Sequence, residues 1–318
     1  MRHIAVIHTG AVGDLVQALP ALAAVRAAHP DAAVTFVGRP ERGALARLAG
    51  AADACVDIET SGLWRVTAGE TPPPCPAPLA EADLVLDFLT KGTLGERLPG
   101  PRRVVAVDPL PPEGWRKPAA TYVAGQVRAG LGLPDPRGDE ADVPVIPLNA
   151  AAVAAGRRAL ASHGVAGAVA AIHPGSGSVR KNWPMERFEA IARRLREETT
   201  ASVVWLAGPA EAERGTLPRA AGETVLADLA LADVAAVLAA AAAYVGNDSG
   251  VTQVAAAVRG EAGRATPVVA LYGPTEPRVW APRGEHVRVV RSADGTMDGI
   301  AVEAVWEATY GAASCLNA

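Results

Sequence analysis

A pair of α/β domains with parallel sheets is predicted by three features of the sequence. Short apolar strands alternate with amphipathic helices along the chain. The 318 residues, half of them hydrophobic, suffice for two cores of ordinary size. The alternation is interrupted at Pro134 to Pro147, a stretch rich in Pro, Asp and Gly that reads as a boundary. The first domain is therefore placed at residues 1–147 and the second at 148–298, with a terminal segment at 299–318.

In the first half, His3 to His8 reads as a strand, Thr9 to Gly13 as a tight loop and Asp14 to Ala28 as a helix closed by Pro30. Leu15, Leu19, Leu22 and Val25 recur at helical spacing and present one apolar face to a sheet. Val34 to Gly38 supplies a second strand, Glu41 to Leu48 a helix, Ala54 to Ile58 a third strand and Asp83 to Phe88 a fourth. Thr71 to Pro78 holds five prolines in eight residues and is expected to be an exposed irregular loop. Lys91, Arg97, Arg102, Arg103, Arg116 and Lys117 outnumber Glu96, Asp108 and Glu113 in residues 91–117. A solvated surface is one reading of that excess, and reception of an anionic acceptor is the other. A helix at Thr121 to Leu131 leads into the boundary.

The second half repeats the pattern. Val169 to Ile172 is a short apolar run of the buried parallel type, stopped by His173-Pro174-Gly175. Gly175, Ser176, Gly177 and Ser178 allow close backbone approach and offer donors, Arg180 and Lys181 add charge, and Pro184 suits the first turn of a helix. Phe188, Ile191, Ala192 and Leu195 continue that helix at helical spacing. Strand, glycine–serine loop, lysine and helix N-terminus together suit phosphate, although a plain βα turn uses the same residues. Strands follow at Ser202 to Leu206, Thr224 to Leu226, Ala242 to Val245 and Pro267 to Leu271. Helices are read from Glu211, from Asp233, at Val251 to Val258 and at residues 299–310. In such a fold a ligand is expected in the crevice outside the carboxyl ends of the strands, between the two halves.

Composition narrows the function classes. A net charge of −4 and a pI near 5.9 argue against nucleic acid as a partner. Cys55, Cys75 and Cys315 are odd in number and lack metal-ligand spacing, so a reducing cytoplasm is expected rather than a disulfide framework or a zinc site. No secretion-signal pattern opens the chain, and the longest apolar run, Val234 to Val245, is short of the about 20 residues a membrane span needs. Any contact with the inner membrane surface is therefore expected to be peripheral.

Four blocks carry a resemblance: TGAVGDLVQALPAL at 9–22, HPGSGSVRKNWP at 173–184, GNDSGVTQVAAA at 246–257 and LYGPTEP at 271–277. Together, and in this order, they resemble the ADP-heptose:lipopolysaccharide heptosyltransferases, glycosyltransferase family 9. The resemblance implies a GT-B architecture, two Rossmann-like domains facing across a cleft, with the helix in 299–318 joining the first domain. It also implies inverting, metal-independent transfer of a heptose or related sugar from an ADP-sugar to an anionic carbohydrate or glycolipid acceptor such as lipopolysaccharide inner core. The absence of an Asp-x-Asp motif beside the candidate nucleotide loop agrees with that, and no cofactor is expected.

Carried over residue by residue, the resemblance puts Asp14 in the role of base, in a loop with Thr9, Gly10 and Gly13 on the acceptor side. A helix-capping carboxylate is the other reading of Asp14. Lys181, with Ser176, Gly177, Ser178 and the helix start at Ser249 and Gly250, would meet the growing charge of the leaving diphosphate; a solvated lysine is the alternative. Asp248 would hold sugar hydroxyls, cap a helix, or do both. Glu211 matches the family's acidic ribose contact, with Glu213 an equal register. Trp183 reads as packing under the loop rather than as an adenine platform.

Two departures stand out. Gln253 occupies the position of a family histidine, and Arg259 to Ala265 looks longer than the family's connection. A catalytically silent nucleotide- or carbohydrate-binding relative is thus an alternative reading. An NAD-dependent oxidoreductase is disfavoured because Gly10 and Gly13 lack a third glycine at fingerprint spacing. A two-lobed sugar-binding protein would normally carry an export signal.

Overall fold

The structure is a computed structural model that describes residues 1–67, 70, 76–89, 94–97, 103–136, 142–208, 211 and 222–312. The chain divides into two compact units, Met1–Val145 and Ile146–Ala318, close to the boundary read from composition.

The first unit is built on five parallel strands: β1 (His3–Ile7), β2 (Ala33–Gly38), β3 (Ala54–Asp57), β4 (Leu84–Asp87) and β5 (Arg103–Ala106). Their order is β3-β2-β1-β4-β5, so β1 is central and its Ile4, Ala5, Val6 and Ile7 are buried. Crossover helices covering both faces of a parallel sheet explain why these strands read as continuous apolar runs. The helix after β1 spans Val12–Ala28 and begins two residues before the expected Asp14. Asp14 is its third residue, and its Oδ2 accepts the Ala11 backbone N–H at 2.8 Å. The carboxylate thus reaches back to the helix start instead of marking it. β5 was expected to be part of a basic surface stretch. It is an edge strand whose Arg103 is exposed, and its short apolar run, Val104 to Val107, follows directly on Arg102 and Arg103. Lys91, Arg102 and most of the proline-rich loop lie outside the described residues.

The second unit opens with β6 (Ile146–Pro147) and a helix, Ala150–Ser162, that the alanine-rich sequence did not advertise. Asn149 caps that helix by accepting the Ala152 N–H at 2.9 Å. The main sheet contains β7 (Val169–His173), β8 (Ser202–Ala207), β9 (Thr224–Ala227), β10 (Ala243–Asn247), β12 (Val268–Tyr272) and β13 (Val287–Arg291), ordered β13-β12-β10-β7-β8-β9 and wholly parallel. The remaining strand, β11 (Val258–Arg259), pairs with β6. The long connection after it is folded: Gly260 donates to the Arg264 carbonyl at 2.8 Å, and Arg264 reaches the carbonyls of Ala239 and Ala241. Both units have the strand–helix alternation and parallel sheet of a Rossmann-like domain, the pair that makes up the GT-B class.

The C-terminal helix, Val302–Ala312, packs on the second unit, where Val305 and Trp306 join Trp183, Phe188, Ile191 and Trp205 in one core and the Arg194 guanidinium lies 4.3 Å from the Trp306 ring centre. Residues 313–318 lie outside the described set. Trp183 is a packing residue, as expected. It is buried, edge-on to Phe188 at 5.0 Å, and its indole N–H donates to the Ile300 carbonyl at 3.0 Å. No described helix is long and apolar enough to cross a membrane.

Candidate active site

In the second sheet β10, β7 and β8 are neighbours, so the segments that leave their carboxyl ends lie side by side. The segment after β7 is held by Asn247, which the sequence reading left without a role inside the GNDSG block. Asn247, fully buried, donates from Nδ2 to the Pro174 carbonyl at 2.7 Å and accepts the Trp183 N–H on Oδ1 at 3.1 Å. One amide therefore ties both ends of the loop to β10. Inside it Ser176 accepts the Ser178 N–H at 3.2 Å, and its hydroxyl lies 2.7 Å from the Ser178 carbonyl and 2.6 Å from Asn182 Oδ1. That hydroxyl is engaged within the loop. Gly177 is exposed and Ser178 half-buried. A single 3₁₀ turn, Val179–Lys181, then delivers Lys181, whose Nζ lies 2.7 Å from Asp248 Oδ2.

Asp248 follows β10 directly, and the helix Gly250–Ala257 starts two residues later. Ser249 caps it by accepting the Thr252 N–H at 3.3 Å, so the cap role falls to Ser249 and leaves the Asp248 carboxylate to Lys181. Backbone N–H groups at this helix start are suited to an anion. Glu211, after β8, is buried, and its Oε2 accepts the Gly208 N–H at 2.8 Å. Glu213 lies outside the described residues. Gly175 closes over Glu211 so tightly that an added Cβ would stand 1.9 Å from Oε1. Beneath both sits His173, buried, which burial pushes down to about 4 against the opposing pull of the Glu211 charge.

Gln253 is buried in the same helix, and its Nε2 donates to the Trp280 carbonyl at 2.7 Å. The Tyr272 hydroxyl donates to that carbonyl at 3.0 Å. The amide thus fastens the helix to the turn after β12. Gln253→Ala is expected to lower unfolding free energy by about 1–3 kcal/mol, the usual cost of losing a buried polar partner; a urea midpoint equal to that of the parent would contradict the bond.

On the first unit, Asp14 sits beyond the carboxyl end of β1. Gly10 packs against it, since an added Cβ would lie 2.9 Å from Asp14 Oδ2 and 3.1 Å from His8 Cε1. Gly13 is already within the helix. His8 is buried between Phe36 and Phe88, its Nδ1 has no hydrogen-bond partner among the described residues, and burial with the nearby Arg42 charge pushes it down to about 4. Arg42, absent from the sequence reading, reaches the Thr9 carbonyl with Nη1 at 3.4 Å. Burial holds its guanidinium below the usual range, Glu41 and Asp14 oppose that shift, and Arg39 adds to it. A neutral imidazole and a guanidinium therefore stand beside the carboxylate. The signal that would have found Arg42 is its place in the GRPER turn after β2, on the same sheet edge. Of the basic stretch, Arg97 donates to the Val66 carbonyl and Arg103 to that of Gly130, whereas Arg116 and Lys117 remain exposed.

Among the described residues no three His, Cys, Asp or Glu side chains gather as a metal site. The sequence profile of glycosyltransferase family 9 (heptosyltransferase) matches residues 140–303, more than half of the chain. No curated protein matches the sequence. Among solved structures, a family 9 glycosyltransferase from Veillonella parvula has a TM-score of 0.75 at 19% identity, covering 98% of this chain and 97% of its own. The ADP-heptose lps heptosyltransferase II of E. coli has 0.74 at 20%, covering 96% and 97%. The E. coli heptosyltransferase WaaC, solved with ADP, has 0.67 at 22%, covering 96% and 98%. At these identities the structural likeness establishes the fold, and the sequence profile establishes kinship. This chain belongs to glycosyltransferase family 9, the heptosyltransferases, and is a glycosyltransferase of the GT-B class.

Proposed function

We propose that the protein moves a heptose or related sugar from an ADP-sugar to a carbohydrate acceptor such as lipopolysaccharide inner core, with inversion and without a metal or other cofactor. The observation that carries this reading is the gathering of Lys181, Asp248, Glu211 and the glycine–serine loop at the carboxyl ends of three adjacent strands. Each meets one part of an ADP-sugar: Glu211 the ribose hydroxyls, Lys181 and the N–H groups of Gly177, Ser178, Ser249 and Gly250 the diphosphate, Asp248 the sugar. Gln253 fastens the helix that follows Asp248.

In a single displacement the acceptor hydroxyl attacks the anomeric carbon as its bond to the diphosphate oxygen breaks, so the configuration inverts. Asp14 takes the hydroxyl proton. The leaving ADP gains negative charge, which Lys181 and the helix start meet, a role that pre-placed charges fill well in a water-poor site. Thr9 and Gly10, with Gly13 in the first turn of the helix, form the acceptor side, and Arg42, Arg116 and Lys117 give that sheet edge positive charge for an anionic glycolipid. Such an acceptor places the enzyme in the cytoplasm, with no more than peripheral contact at the inner membrane.

A thermal-shift panel of nucleotides and nucleotide-sugars tests the reading, because a ligand that binds the native state raises the melting temperature. Selective stabilisation by ADP and ADP-sugars is expected. Equal response to UDP, GDP and ADP species, or none, removes the donor assignment.

A further inference from the structure

His173 has no part in the chemistry described above, yet its ring touches two segments that do. Nε2 is 4.0 Å from Glu211 Oε2 and Nδ1 is 3.4 Å from Ser249 Oγ. Both neighbours are fixed from elsewhere, Glu211 by the Gly208 N–H and the close face of Gly175, Ser249 by its cap bond to Thr252. The ring is neutral at physiological pH, since burial holds it near 4. A neutral imidazole has one donor and one acceptor, and a carboxylate can only accept. The proton accordingly belongs on Nε2, towards Glu211, and Nδ1 accepts from the Ser249 hydroxyl. At 4.0 Å the Nε2 contact is too long for a hydrogen bond. The ring acts as a wall and an oriented N–H dipole behind the carboxylate.

We propose that His173 is a positioning residue of the donor site, which sets the Glu211 carboxylate for the nucleoside ribose by bracing it against the capped start of the helix Gly250–Ala257. The inference rests on the reading of Glu211 as the ribose contact. It has two consequences. Ribose recognition after β8 and diphosphate recognition after β10 are mechanically joined through one buried ring. The Ser249 hydroxyl points inward to cap and histidine, so Ser249 serves an anion through its backbone N–H alone.

The test compares dissociation constants for ADP and 2′,3′-dideoxy-ADP, whose ratio reports ribose recognition independently of the diphosphate. The parent is expected to prefer ADP by about tenfold or more, the usual yield of hydrogen bonds to a charged group. His173→Gln keeps an N–H near the Nε2 position and is expected to retain the ratio. His173→Asn reaches only the Nδ1 position and is expected to lower the ratio by about threefold or more, with dideoxy-ADP affinity unchanged. His173→Leu fills the pocket without an N–H and is expected to lower the ratio as His173→Asn does; a parental ratio in His173→Leu would show a merely space-filling role and overturn the proposal. If Glu211→Gln lowers the ratio but His173→Asn does not, the inference is overturned and the ribose reading stands. If Glu211→Gln leaves the ratio unchanged, the ribose reading falls and takes the inference with it. Should His173→Asn fail to fold, Ser249→Ala removes the brace from the other side: a lowered ratio supports the proposal, and a parental ratio overturns it.

Discussion

Asp14→Asn is expected to slow sugar transfer by about 10²- to 10⁴-fold, the range for losing positioned acid–base catalysis, with the ADP dissociation constant unchanged. The substitution separates the helix-start bond that the structure shows from the base role proposed for the same side chain. Asp14 accepts the Ala11 N–H at 2.8 Å at the third position of its helix. Asparagine retains a carbonyl oxygen for that bond, so the helix start survives, but an amide cannot take a proton from an attacking hydroxyl. The cap alone is worth about 1 kcal/mol, too little to explain a large rate loss in a protein that remains folded. Melting temperature, ADP titration and turnover on one preparation make the check. Near-parental turnover would remove Asp14 from the mechanism, and loss of folding in step with activity would reduce it to a cap.

The fold was legible where strands are buried on both faces. Val34 to Gly38 and Val169 to Ile172 are continuous apolar runs bounded by loop residues, and the structure extends each by one residue. It was illegible where burial is one-sided or the composition monotonous. β5 and β13 are edge strands with arginines among their valines, and Ala150–Ser162 has too few large apolar residues to show a periodic face. The C-terminal helix shows its apolar face, Val305 and Trp306, in sequence, but the packing of that face with Met297, Ile300 and Trp183 leaves no mark there. At the candidate site, charged residues beside glycines were readable because loops that approach ligands need both. The residues that hold those loops were not. Asn247, His173 and Arg42 act through partners 33 to 76 positions away, and spacing along the chain carries no trace of such contacts.

Lys181→Ala is expected to lower kcat/KM by about 10²- to 10³-fold, comparable to the loss of a pre-placed donor at a developing charge, and to weaken ADP binding as well. The ion pair with Asp248 sharpens the expectation. Nζ and Oδ2 are 2.7 Å apart, but the lysine side chain is 35% exposed. Asp248 is only 11% exposed, so it is the lysine end that water reaches, and a diphosphate carrying more charge than one carboxylate can draw the ammonium towards itself. Asp248→Asn should then bind ADP as tightly as the parent or more tightly, because a competing and repelling carboxylate is gone, while its turnover falls through loss of a sugar contact. The double variant provides the decisive comparison. With Lys181 removed, Asp248 is an unpaired negative charge beside the diphosphate, so adding Asp248→Asn to Lys181→Ala should recover part of the lost ADP affinity. Direct contacts of this kind are non-additive by about 0.5–3 kcal/mol in a double-mutant cycle. Strict additivity of the two substitutions in ADP titrations would show that the lysine and the aspartate do not share the diphosphate, and the loop after β7 would lose its place as the phosphate site.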